Sequence, residues 1–190
     1  MRRIVVSEFV SLDGVMEGPG PDDPYVHAGW TFAFQDPVGM KYKLDEVTAH
    51  DALLLGRVTY KGFAKAWPGR TDEIGFADKM NSMPKHVVSN TLERAGWNNS
   101  MIISGNIPAE ITRLKQGRGG DILVAGSSQL VQTLLAEGLV DELRLMVFPI
   151  VLGSGKRLFG TNSDPVSLEL AGSTQLQSGT LILTYRPAGS

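Results

Sequence analysis

The chain has 190 residues, of which 42% are hydrophobic and 20% charged; its net charge is −2 and it has no cysteine. This is the balance of one folded domain rather than of a disordered segment. It excludes disulfides, thiolate metal sites and a thiol nucleophile. It also lacks the basic excess with which nucleic-acid binders release counterions, and no apolar run approaches the ~20 residues that cross a bilayer.

Ile4 to Val10 reads as a buried first strand, rich in β-branched residues. The basic, then apolar start (MRRIVVSEFVSLDG) is broken by Ser7 and Glu8 and has no small-residue cleavage site, so it is read as that strand rather than as a signal peptide. Without a leader, and cysteine-free, the chain is expected in the cytoplasm. From Ser11 to about Trp30 runs a glycine- and proline-rich loop of the length that commonly forms a lid. Trp30, Phe32 and Phe34 alternate, as on one face of a strand; their second reading is a stacking surface for a flat heterocycle.

Asp36-Pro37 has the form of an N-cap followed by a first-turn proline and opens a helix to about His50, on which Asp45 and Glu46 read as a solvated face. Ala52 to Leu55 is a short strand ended by Gly56, followed by a helix from Arg57 to Lys65. Two further strands, His86 to Ser89 and Met101 to Ser104, precede a helix from Pro108 to Gln116. A strand from Ile122 to Ala125 leads through Gly126 into a helix reaching Leu139, with Leu130, Leu134 and Leu135 at helical spacing. Leu143 to Phe148 is the next strand. Val166 to Gln177 and Thr180 to Arg186 alternate around Ser178-Gly179 as a β-hairpin. Strands alternating with helices give an α/β fold with a mostly parallel central sheet, to which the hairpin adds antiparallel strands.

Two segments share one design: LLLGRVTYKGF around Gly56 and ILVAGSSQLVQTLL around Gly126 each run strand, glycine, helix start. The free N–H groups and the dipole of a first helical turn favour an anion, and glycine lets a phosphate approach the backbone. Thr59, Ser127 and Ser128 add hydroxyls, and Arg57 can fork onto a phosphate. Such turns also occur as plain caps throughout α/β proteins. A dinucleotide nevertheless needs anion sites on several neighbouring strand ends, and the strand between these two ends in Ser89-Asn90. The three histidines, at 27, 50 and 86, lack metal-ligand spacing, so no metal site is expected.

LLLGRVTY resembles the Gly-Arg-x-Thr segment of dihydrofolate reductases, and KHVVSNTL their following strand. GGDILVAGSSQLVQTLLAEGLVDELRLMVFPIVLGSGKRLF resembles the carboxy-terminal half of the riboflavin-biosynthesis reductase domain, and VSEFVSLDGVMEG is similar to the first strand and mobile loop of both. The resemblance covers nearly the whole chain and implies the three-layer dihydrofolate reductase-like fold, with NADPH as cofactor. It implies that Gly56, Arg57 and Thr59 hold the adenosine-side phosphates and that Ser89 and Asn90 stand at the 2′-phosphate. Gly126, Ser127, Ser128, Gln129 and Leu130 would wrap the pyrophosphate and the nicotinamide half. Asn90 replaces an arginine common in these reductases, which leaves Arg57 to carry the preference for NADPH over NADH. Ala125 replaces the first glycine of their cis Gly-Gly pair, which places a cis bond at Ala125–Gly126 in question.

Reduction of a C=N or C=O group also needs a proton. Asp36, at the start of the first long helix, and Asp13, in the loop, are the two candidates; each has an alternative role, as N-cap and as turn former. The expected activity is hydride transfer to a pteridine-like or aminopyrimidine compound of the ribosylaminouracil type. For a substrate of that type Lys41, Lys43, Lys156 and Arg157 are the cations available to a ribose phosphate, unless they are simply solvated. The alternative is a nucleotide-binding module of the same fold without catalysis. A homodimer is expected, both from the apolar strand LRLMVFPIVL and because the riboflavin-type relatives are dimeric.

Overall fold

The computed structural model describes residues 1–160 and 164–189. Its strands are β1 (Ile4–Ser11), β2 (Ala52–Gly56), β3 (Lys85–Val88), β4 (Ser100–Ile103), β5 (Ile122–Val124), β6 (Glu142–Phe148), β7 (Leu168–Gln175) and β8 (Leu181–Pro187). They form one sheet in the order β4-β3-β2-β5-β1-β6-β8-β7. β4 through β6 run parallel, and β8 and β7 close the sheet antiparallel as the expected hairpin.

Side-chain alternation along the strands sorts the core into two layers. Ile4, Val6, Leu54, Ile122 and Val124 pack with Ile111 of α4 (Ile107–Gln116) and Val131 and Leu134 of α5 (Ser128–Ala136). Val5, Leu53, Leu55, Val87 and Leu123 pack on the other face, against Val47 of α1 (Pro37–Ala49), Tyr60 of α2 (Arg57–Ala66) and Met80 of α3 (Phe76–Ser82). The result is the three-layer, dihydrofolate reductase-like α/β fold. Among the described residues no helix is long and apolar enough to cross a membrane.

Three local readings of the sequence are corrected. Trp30–Phe34 is a 3-10 turn, not a strand. Trp30 and Phe34 meet the Phe148 ring at 5.3 and 6.0 Å, while Phe32 is exposed, so the alternation arises from burying two rings on one neighbour. Helix α3 was not anticipated; only Ala77 and Met80 are buried over its seven residues, too few for a visible period. Glu46 does not lie on a solvated face: it is buried, bonded to Ser7 at 2.8 Å and paired with Lys43 and Arg144. Asp45 is exposed and pairs with Lys41.

The long loop lies against the glycine-rich segment after β6. Asp13 accepts from Ser11 Oγ and from the Leu152 and Gly153 amides, and faces Arg157 at 3.5 Å. Glu17 pairs with Lys156, and Val15 bridges to Arg157.

Candidate functional site

The strand register opens a crevice. β1 and β5 pair as far as Val6↔Val124 and then part, while β1 continues along β6 to Ser11↔Phe148. β1 leads into α1 on one face of the sheet and β5 into α5 on the other. Adjacent parallel strands whose connections leave to opposite faces leave a gap at their carboxyl ends, the usual ligand position in open α/β sheets.

Beside this gap lies a cavity of about 230 Å³ lined by Gly56, Arg57, Val58, Val88, Ser89, Asn90, Thr91, Ile107, Ser127, Gln129, Leu130 and Thr133. Seven of the ten cofactor residues expected from sequence line it. Helix α2 starts there behind Gly56 and α5 behind Ser127, and neither first turn has a side-chain cap. Two sets of free N–H groups and two positive dipole ends therefore open into one space. Arg57, exposed at its rim, adds a cation.

The glycines fit tightly. A Cβ on Gly56 would stand 2.3 Å from Ser127 Oγ, and one on Gly126 would stand 2.6 Å from Thr59 Oγ1. Gly126 also has φ +98°, which side chains rarely adopt. Thr59 thus supports Gly126 from behind and does not line the cavity, and Ser128 lies just inside α5. Ser89 Oγ accepts from the Thr91 and Leu92 amides, and Asn90 Oδ1 from the Gly105 amide, so both hold the turn after β3 in place. The cis peptide is Gly126–Ser127, one bond beyond the position in question from sequence.

The two acid candidates are structurally occupied. Asp36 is buried and caps α1, accepting from Val38 and Gly39; its second oxygen accepts from Ser178 in the β7–β8 turn. Burial would raise its pKa, but the backbone donors outweigh this and hold it below the usual carboxylate range. The Ser11 hydroxyl and the loop amides lower Asp13 to about 2. Both are ionised at neutral pH and serve as backbone ties.

Sequence reasoning passed over a third carboxyl. Glu8 is on β1, level with the point where β5 turns away, and is 6% exposed. Its Oε1 has no hydrogen-bond partner. Burial raises its pKa to about 8, against the opposing pull of Lys43 and the Gly126 amide. The available signal was an acid inside a buried strand whose other residues are apolar or serine, a place where glutamate rarely sits without a reason.

The remaining expected groups disperse. Lys41, Lys43, Lys156 and Arg157 each face a carboxylate of their own, Asp45, Glu46, Glu17 and Asp13, and do not converge. No cluster of metal-ligating side chains occurs among the described residues. A larger cavity of about 460 Å³, lined by Arg3, Glu142, Arg144 and Arg186, lies at the amino ends of β1 and β6. Its three arginines each pair with Glu142, Arg3 also with Asp121 and Arg144 also with Glu46, so each is already held by carboxylates of the protein.

A three-layer sheet whose crevice meets two open helix starts defines a class, and the sequence confirms it: the chain belongs to the RibD C-terminal domain family, whose model matches residues 2–182. It is 30% identical to YyaP of Bacillus subtilis (strain 168) over 187 residues, 97% of this chain and 94% of that protein. Among solved structures it is similar to a provisionally named riboflavin biosynthesis protein of Shewanella sp. PV-4, with TM-score 0.75 and 22% identity over 97% of this chain and 98% of that one. Dihydrofolate reductase from Enterococcus faecalis, complexed with NADP(H), shares the fold with TM-score 0.65 and 16% identity over 98% and 96% of the two chains.

Proposed function

We propose that this chain is an NADPH-dependent reductase of a small flat heterocycle, pteridine-like or of the aminopyrimidine type. One observation carries the reading: two uncapped helix starts, each behind a glycine, open into the same cavity with Arg57, Ser89 and Asn90. That donor set suits a ligand with phosphates at both ends of a short path. Gly56 and Arg57 would hold the adenosine-side phosphates. Arg57, Ser89 and the Asn90 amide group would meet the ribose phosphate. Gly126 to Leu130 would take the pyrophosphate and the nicotinamide half. When bound, the dinucleotide supplies a hydride.

The protein's own part is to position, exclude water and deliver a proton. The 3-10 turn packs Trp30 on Phe148 at the end of β6, and the loop is tied to the segment that follows; together they would cover the β6 side of the crevice when substrate is bound. The dispersed cations favour a substrate without a phosphate of its own. A panel of pterins and aminouracils mixed with protein and NADPH, followed by absorbance of the reduced nicotinamide, tests the reading. Oxidation with at least one compound supports it. NADPH binding without oxidation across the panel supports a nucleotide-binding module of the same fold, and no binding removes both.

We also propose a homodimer. Edge strand β7 leaves seven of its eight residues exposed, Leu170 at 57% among them, and its outer backbone edge is open. A second copy is the simplest cover for such an edge.

A further inference from the structure

We propose that Glu8 is the acid that protonates the substrate in this reductase, the role that Asp13 and Asp36 are too committed to fill. The inference rests on the reductase reading above and deepens it.

Position is the first argument. Val6 is paired with Val124, so Glu8, two residues on, stands level with Gly126 just where β1 and β5 separate. Gly126 leads directly into Ser127, a wall of the cofactor cavity. Glu8 is thus the carboxyl at the fork of the sheet, next to the chain segment that would wrap the nicotinamide half.

Partnership is the second. A buried carboxyl is expected to be bonded, because burying a polar group unpaired costs about 1–3 kcal/mol. The buried Asp36 and Glu46 follow that rule, and the half-buried Asp13 is bonded too, with two or more donors each. Glu8 does not: its Oε1 is without a partner. The surroundings could have neutralised it by pairing, since Lys43 is near enough to act on it. The Lys43 ammonium is instead bonded to Ser7 and Glu46, on the opposite face of β1. The charged groups that reach Glu8 are Lys43 and Glu46 of α1; β5 offers the Gly126 amide, and β6 sets Leu145 beside it.

The chemistry follows. Hydride reaching a C=N or C=O carbon moves the π electrons of that bond onto the nitrogen or oxygen. The Glu8 O–H bond then breaks, its proton goes to that heteroatom, and its electron pair stays on the carboxylate. Water restores the proton. An acid that holds its proton at neutral pH and gives it up when negative charge develops nearby is matched to this task.

The test does not depend on turnover. The oxidised cofactor has a cationic ring and the reduced one a neutral ring, and a cation within ~4–6 Å favours a carboxylate. Binding of NADP+ and of NADPH is measured calorimetrically near pH 7 in two buffers of different ionisation enthalpy. The difference between the two forms cancels protons exchanged by the phosphates. The wild type is expected to release up to one proton more with NADP+ than with NADPH, and Glu8→Gln to bind both with no such difference. An infrared band of a protonated carboxyl at the same pH, present in the wild type and missing in Glu8→Gln, identifies the group without any ligand. Cofactor binding with equal proton exchange in wild type and variant overturns the role of Glu8 alone. Absence of binding by the wild type overturns the reductase reading and this role with it.

Discussion

Replacing Glu8 by glutamine should make the protein more stable, and increasingly so as pH rises. A glutamate in the unfolded chain titrates near 4.5, whereas burial moves Glu8 to about 8 in the folded state. Between those values the folded state holds a proton that the unfolded state has lost. Stability therefore falls by about 1.4 kcal/mol per pH unit across the window, on the order of 5 kcal/mol in all, and levels off above it. Against a typical total of about 5–15 kcal/mol this is a large single contribution. Glutamine keeps the shape and cannot ionise, so the variant lacks this dependence. Other groups titrate too: Asp13 and Glu46 lie below their usual range, His50 and His86 are lowered by burial, and Lys85 is lowered to about 8. All are common to both proteins and cancel in the comparison. Urea unfolding at several pH values between about 5 and 9, with equal m-values, reads the gap directly. Parallel curves for wild type and variant would show that Glu8 titrates normally and would refute the argument.

Three further outcomes are expected. Arg57→Ala should weaken NADPH binding about tenfold and NADH binding little, since an exposed charge-assisted contact to the 2′-phosphate is worth about 1–2 kcal/mol after solvent screening; equal losses in a fluorescence titration would remove Arg57 from that phosphate. Gly126→Ala should cost about 1–3 kcal/mol of stability from its positive φ and its collision with Thr59, and should abolish NADPH binding. Adding Thr59→Ala should recover part of the stability in a thermal melt; unchanged affinity in either variant contradicts the cradle. Light scattering at micromolar concentration should give twice the 20.5 kDa of one chain, and the monomer mass would show that β7 needs no partner.

The strands and most helices were legible because burial marks the sequence. Ile4–Val10 and Ile122–Ala125 are short, mostly apolar runs buried on both faces, the residues following Gly126 carry a helical period, and the hairpin has both its alternation and its turn. The two turns of the proposed cofactor site were legible for a related reason. A glycine between an apolar strand and a helix start is a local pattern, and Gly56 and Gly126 each carry it complete. Helix α3 lacked such a pattern, with two buried residues in seven, and the 3-10 turn at Trp30–Phe34 imitated a strand because Phe148 collects two rings from one side.

What the sequence could not supply was the pairing of distant residues. Asp36 reads as an N-cap from its neighbour Pro37, but its second bond, to Ser178, spans 142 residues. Glu46 reads as solvated until Ser7, Lys43 and Arg144 are brought around it. Sequence alone determined that there would be strands, helices and two strand–glycine–helix turns, because each depends on residues a few positions apart. Tertiary structure decided which acids are spent on holding the fold and which one keeps an oxygen without a partner at the fork of β1 and β5, because a carboxyl's ionisation is set by the neighbours and the solvent that folding leaves it.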